Sequence, residues 1–179
     1  MRSVCYSVAA SLDGYIAGPG GEADWIPMDP EIDFAALFSR FDTQLMGRRS
    51  YEAMLAMSGG AGGEAAFPGM KTIVVSRTLR QADHPGVTVL SRDVEGEVAA
   101  LRSGPGKDVW LFGGGELFRT LLEAGLVDAV EVAVIPVMLG GGIPLLPVPG
   151  PRVTLRLERH RVYGSSGIVL LTYDVLRER

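Results

Sequence analysis

Between Val109 and Phe118 the chain reads Val-Trp-Leu-Phe-Gly-Gly-Gly-Glu-Leu-Phe. An apolar run breaks off in three glycines. Leu117, Leu121 and Leu122 then recur at helical spacing, with Phe118 beside them. Strand, glycine turn and helix start form one mechanical unit. Glycine lets the backbone enter conformations closed to other residues and lets a ligand approach the main chain. A helix start offers unpaired N–H groups and the positive end of its dipole, which suit a phosphate. A tight turn that binds nothing would have the same local pattern, so the rest of the chain must decide.

The 179 residues, 47% of them hydrophobic, suffice for a single domain over residues 1–179 with a real core. Net charge is −4, and the 17 lysines and arginines are spread without a basic block, which argues against nucleic acid. Local positive charge, as at Arg48-Arg49, must then serve something small. Cys5, the single cysteine, reads as a small core residue and cannot form an internal disulfide, which fits a reducing, cytoplasmic setting. No leader is read before Ser11 and Asp13, and no apolar run approaches the ~20 residues of a membrane span. No metal is expected.

In order, Ser3 to Ala10 reads as a buried strand, Asp13-Gly14 as a turn and Gly18 to Glu22 as a surface loop. Asp29 reads as an N-cap with Pro30 in the first helical position. Phe34, Leu37, Phe38 and Phe41 are the apolar stripe of that helix. Gln44 to Met46 is a short strand, and Gly47-Arg48-Arg49-Ser50 starts a helix, forming a second strand–turn–helix unit. Ser58 to Gly63 is a glycine-rich loop. Lys71 to Val75 is a strand ending at Ser76-Arg77-Thr78, followed by a short strand at Val87 to Leu90 and a weak helix over Asp93 to Leu101. Gly125 ends the helix after the triple glycine, and Val127 to Val137 is a long strand. A second triple glycine, Gly140 to Gly142, follows. Val153 to Tyr163 and Ile168 to Leu176 form an antiparallel hairpin. This alternation predicts an α/β layered fold with a mostly parallel sheet. In such sheets ligands sit beyond the carboxyl ends of the strands. Asp13, Arg48, Ser76, Arg77 and Gly113 to Gly115 all follow such ends and are expected to converge.

Two kinds of anion site are then available. A backbone nest at Gly113 to Gly115 suits a pyrophosphate, and guanidinium groups at Arg48, Arg49 and Arg77 suit a terminal phosphate. A dinucleotide with an extra ribose phosphate needs both, which points to NADP(H). The rival is a Rossmann NAD dehydrogenase. It needs a third glycine where Phe118 stands, and Glu131 would have to act as its ribose acid. A non-catalytic NADP(H)-binding module is the other alternative.

Ser11-Leu12-Asp13-Gly14-Tyr15-Ile16-Ala17, Met46-Gly47-Arg48-Arg49-Ser50-Tyr51-Glu52, Val74-Val75-Ser76-Arg77-Thr78 and Phe112-Gly113-Gly114-Gly115-Glu116 occur in order. With this set the chain resembles the dihydrofolate reductase superfamily. It is most similar to the branch typified by the C-terminal reductase domain of the riboflavin-biosynthesis deaminase–reductase. The resemblance implies a dihydrofolate reductase-like three-layer α/β/α fold with NADPH along the strand ends. It implies that Arg48 and Arg49 hold the 2′-phosphate, that Ser76 and Arg77 close round it, and that Ser50 reaches the pyrophosphate. Gly113, Gly114 and Gly115 would contact the pyrophosphate and nicotinamide side, with a cis Gly113–Gly114 peptide. Gly47, Glu116 and Leu117 belong to the same cofactor-binding segments.

Dihydrofolate reductases carry a substrate carboxylate on the first long helix, a few residues after a tryptophan. Here Trp25 is followed by Asp29, Glu31 and Asp33, which makes Asp33 and Asp29 the catalytic candidates. Asp13 and Trp25 are candidates for the substrate side. The resemblance implies hydride transfer to a small heterocyclic or ribosylated substrate, of pterin or riboflavin-pathway pyrimidine type, and a homodimer.

Overall fold

The computed structural model describes residues 1–59 and 67–177. Among these, β1 (Val4–Ser11), β3 (Phe41–Gly47), β4 (Lys71–Val75), β5 (Thr88–Leu90), β6 (Asp108–Gly113) and β7 (Ala129–Ile135) run parallel. β9 (Thr154–Val162) and β10 (Val169–Leu176) form the expected antiparallel hairpin, with β10 antiparallel to β7. The resulting eight-stranded order is β5-β4-β3-β6-β1-β7-β10-β9. Two short strands, β2 (Tyr15–Ala17) and β8 (Ile143–Pro144), pair antiparallel beside it.

Helices cover both faces. On one face Val4, Tyr6, Leu45, Val109, Leu111, Val130 and Val132 pack against α3 (Val94–Ser103) and α4 (Gly115–Glu123). Leu117, Phe118, Leu121 and Leu122 form the buried stripe of α4, and the Phe118 ring stacks on Tyr6 at 3.9 Å between centroids. Burying each such side chain stabilises the fold by about 1.5–3 kcal/mol. Gly125, at φ +66°, takes the left-handed conformation that ends the helix. On the opposite face α2 (Arg48–Met57) sets Tyr51 and Met54 against Met46 and Val74. Beside it, Phe38 of α1 (Phe34–Ser39) packs on Cys5, Phe41 and Trp110. Burial, above all, pushes the Cys5 thiol up to about 12, as befits an inert core residue. Among the described residues no helix is long and apolar enough to cross a membrane.

Two local readings change. The first helix does not start at Asp29: it runs only from Phe34 to Ser39, and Asp33 is its cap, accepting the Ala36 N–H at 2.8 Å. Phe41 is no part of its stripe, because it pairs with Asp108 as the first residue of β3. That strand pairing cuts the helix short. The loop expected over Ser58 to Gly63 lies partly outside the described residues.

Leu121 is fully buried where α4 meets the sheet. Leu121→Ala is expected to cost about 2–5 kcal/mol, read as a lowered midpoint in urea unfolding with an unchanged slope.

Candidate functional site

β3 and β6 lie side by side in parallel, with Met46 opposite Gly113. They therefore end together, and α2 and α4 start together. A Cβ built on Gly47 would stand 3.9 Å from the Gly114 nitrogen and 4.0 Å from the Gly113 carbonyl oxygen. The Ser50 hydroxyl oxygen lies 3.6 Å and 3.5 Å from the corresponding Cβ positions of Gly113 and Gly114. The two strand–glycine–helix units thus share one ledge. Gly113 holds φ +144°, a conformation that favours glycine, and the Gly113–Gly114 peptide is cis.

The ledge is built from helix ends left without side-chain caps. Asp33 and Asp93 cap α1 and α3 through their carboxylates. The caps of α2 and α4 are Gly47 and Gly114, which offer no side-chain acceptor. The first-turn N–H groups of both helices are thus left for water or an anion, and two positive dipole ends point at the same place.

The arginines flank this ledge. Gly47 pairs with Val75, so Ser76 and Arg77 leave the sheet beside Arg48. The Ser76 hydroxyl oxygen accepts the Thr78 and Leu79 N–H groups at 3.1 and 3.0 Å, which fixes the turn that carries the exposed Arg77. Arg48 bonds Glu52 at 3.0 Å, one turn along α2, while Arg49 and Arg77 have no carboxylate partner among the described residues. On α4, Leu117 is buried, and Glu116 pairs with Arg119 at 2.7 Å.

The acids read as catalytic candidates, Asp29 and Asp33, and the substrate-side candidate Asp13 all carry structural bonds. Asp13 Oδ1 accepts the Ser11 hydroxyl at 2.6 Å and the Leu139 N–H at 3.1 Å, and Oδ2 accepts the Gly140 N–H at 2.8 Å. It ties the first turn to the second triple glycine. The Ser11 bond foremost, with the two backbone N–H groups, holds its carboxyl below the usual range. Asp29 accepts the Glu31 N–H at 2.8 Å and the Ser165 hydroxyl at 2.9 Å. Hydrogen bonding, led by Ser166, lowers its carboxyl as well. Asp33 is the α1 cap. Trp25 donates its indole N–H to the Glu22 carbonyl at 3.0 Å and packs on the Ile135–Tyr163–Ile168 cluster.

Sequence reading missed the polar row in the middle of the sheet. Glu131 is fully buried; its Oε1 accepts from Ser7 at 2.9 Å, and its Oε2 accepts from Arg40 at 3.0 Å and Thr172 at 3.1 Å. The available signal was a lone acid inside the apolar run Ala-Val-Glu-Val-Ala-Val. These bonds occupy Glu131 inside the fold, so it is no ribose acid of a Rossmann site. The strand order differs from the Rossmann one too.

The model of the RibD C-terminal domain matches residues 2–170. An uncharacterized protein of Bacillus subtilis strain 168, YyaP, is 34% identical, with 96% of this chain and 94% of that protein covered. A Shewanella sp. PV-4 protein assigned to riboflavin biosynthesis is 26% identical with TM-score 0.79, covering 99% of this chain and 100% of its own. A dihydrofolate reductase of Enterococcus faecalis complexed with NADP(H) shares the fold at 19% identity and TM-score 0.69, with 97% and 96% covered. These findings agree with the family and the α/β fold read from the ordered motifs.

The Asp13 clamp has a defined pH dependence. A lowered folded-state pKa makes its contribution complete above the ordinary carboxyl value of about 3.9 and lost as pH falls through the lower folded value. Asp13→Asn is therefore expected to lower the urea midpoint at pH 7, and the gap from the parent should narrow as the pH falls below the ordinary carboxyl range. A gap that stays constant with pH would show that the clamp does not depend on charge.

Proposed function

The chain belongs to the RibD C-terminal domain family, and on that premise we propose that it is an NADPH-dependent reductase. Its substrate would be a small heterocyclic or ribosylated molecule, of pterin or riboflavin-pathway pyrimidine type, with a reducible C=N or C=O group. The observation that carries this reading is the meeting of two helix N-termini, both without side-chain caps, at Gly47 and Gly113 to Gly115. A pyrophosphate needs such paired N–H donors, and the bare Cα of Gly47 leaves the Gly114 amide open to it. Arg49 and Arg77, with no carboxylate partner among the described residues, and Arg48 beside them suit the 2′-phosphate, which guanidinium groups grip with paired bonds.

When bound, NADPH supplies the hydride. The chain's own part is to hold and orient. The first turns of α2 and α4 would hold the cofactor's pyrophosphate, and Gly113 to Gly115 would bring the main chain close to it. Because Asp29 and Asp33 already carry structural bonds, proton delivery by water is the reading they support. Self-association as a homodimer belongs to the same proposal. It is supported by β9, a sheet edge exposed along its whole length and bearing Leu155, Leu157 and Val162.

Fluorescence titration with NADPH and NADH tests the assignment. The parent is expected to prefer NADPH. Arg48→Ala and Arg77→Ala should each weaken NADPH by roughly tenfold to a hundredfold, the worth of a charge-assisted bond at about 1.5–3 kcal/mol, and leave NADH unchanged. Equal affinity for both cofactors in the parent would remove the 2′-phosphate role. Turnover with pterin and pyrimidine substrates then separates a reductase from a binding module.

Gly47→Ala makes a complementary probe. Its Cβ finds ordinary contact distances, so thermal unfolding should match the parent. The methyl group stands over the Gly114 amide, so NADPH affinity is expected to fall at least tenfold, measured in the same titration. Undiminished binding would mean that this amide is not used.

A further inference from the structure

β1 and β7 run side by side and end level, with Ser11 opposite Ile135. The loops that leave them lock together. Asp13, in the turn between β1 and β2, takes the Ser11 hydroxyl and the N–H groups of Leu139 and Gly140. Leu12 donates to the Val137 carbonyl at 2.8 Å, and Leu145 donates to the Gly14 carbonyl at 2.9 Å. β2 and β8 pair between these bonds. Gly142 lies so close to β2 that an added Cβ would collide with the Ala17 carbonyl.

The chain from Gly140 to Gly150 is therefore a strap, fastened at one end by a single carboxylate. Its other end lies on the cofactor ledge. A Cβ built on Gly115, the first residue of α4, would stand 2.7 Å from the Pro144 carbonyl oxygen and 2.9 Å from the Pro147 ring. Arg119, one turn along α4, donates to the Pro149 carbonyl at 3.1 Å. Leu145 and Leu146 pack on the core that α4 shares with the sheet. Close-packed groups transmit a displacement and do not absorb it, so a shift at Gly140 must be felt at Gly115.

Strand order gives the strap its place along a bound dinucleotide. Arg77 follows β4, Arg48 and Arg49 follow β3, the ledge joins β3 to β6, and β1 and β7 come next. A cofactor with its 2′-phosphate at the arginines and its pyrophosphate on the ledge would carry its nicotinamide end toward β1. We propose that Asp13 is a positioning residue, which through the Gly140–Gly142 loop sets the strap that walls the nicotinamide end of the site. This rests on the reductase reading for what occupies the ledge. The residue type fits the task. An ionised carboxylate accepts several donors and offers none, whereas an asparagine would turn an N–H against one of them.

The test compares the two ends of the cofactor. The full chain is titrated with NADPH by fluorescence. It is titrated by calorimetry with adenosine 2′,5′-bisphosphate, which carries the 2′-phosphate and lacks the nicotinamide. Asp13→Asn should weaken NADPH by on the order of tenfold, the worth of one charge-assisted bond, and change the bisphosphate by less than about twofold. Gly142→Ala, which forces the strap away from β2 and leaves the carboxylate alone, should show the same split. Asp13→Glu, which keeps two acceptor oxygens, should recover part of the NADPH affinity. A general loss of fold would weaken both ligands alike. Parallel losses, or NADPH binding equal to the parent's in both Asp13→Asn and Gly142→Ala, would overturn the role of Asp13 and leave the reductase reading standing. A parent that binds neither ligand would overturn the reductase reading, and the role of Asp13 with it.

Discussion

The lateral pairing of β3 with β6 is the constraint on which the candidate site depends. The two strands are neither consecutive nor joined by a hairpin, yet they run parallel and stop at the same level. Their helices must therefore begin at the same level. Two partial positive charges and two sets of unpaired N–H groups are brought together, where one helix end alone would offer half as many. A register slip of one residue would turn Met46 and Trp110 off the face that α2 and Phe38 cover, so core packing and site geometry stabilise the same alignment. Glycine at 113 is favoured by its φ of +144°, while the bare Cα of Gly47, within 4.0 Å of the Gly113–Gly114 backbone for an added Cβ, keeps that backbone open from the side of β3.

Around this pairing the charges divide by task. The acids near the cleft are bound into structure: Asp13 to the second glycine loop, Asp29 to the hairpin, Asp33 to a helix start and Glu131 to the middle of the sheet. Among the described residues the arginines at the strand ends, Arg49 and Arg77, have no carboxylate partner. A chain of net charge −4 can thus present a positive ledge, because the local field depends on which charges are neutralised nearby and not on their sum. At β9, Arg161 stacks on the Tyr163 ring with no acid at ion-pair distance among the described residues.

The strand–glycine–helix units were legible because each is local. The apolar run, the glycines and the helical period lie within about ten residues, and both units stand where the pattern puts them. The terminal hairpin was legible for the same reason. The first helix was not. Asp29 and Asp33 are equally plausible caps on local grounds, and the choice fell to Asp33 because Phe41 was needed in β3 opposite Asp108. The β2–β8 pair, the closure of Asp13 on Gly140 and the ring of donors around Glu131 join residues more than 100 positions or several strands apart, beyond any window of periodicity.

By itself the amino-acid order determined the layered α/β class, the elements that carry the glycines and arginines, and their position at strand ends, because these follow from short-range hydrophobic period and backbone freedom. Only the tertiary structure decided which strand ends are neighbours, which carboxylates are already hydrogen-bonded and which arginines have no carboxylate partner among the described residues. Those are properties of pairing between distant segments, set by register across the sheet and by how side chains share the available donors and acceptors.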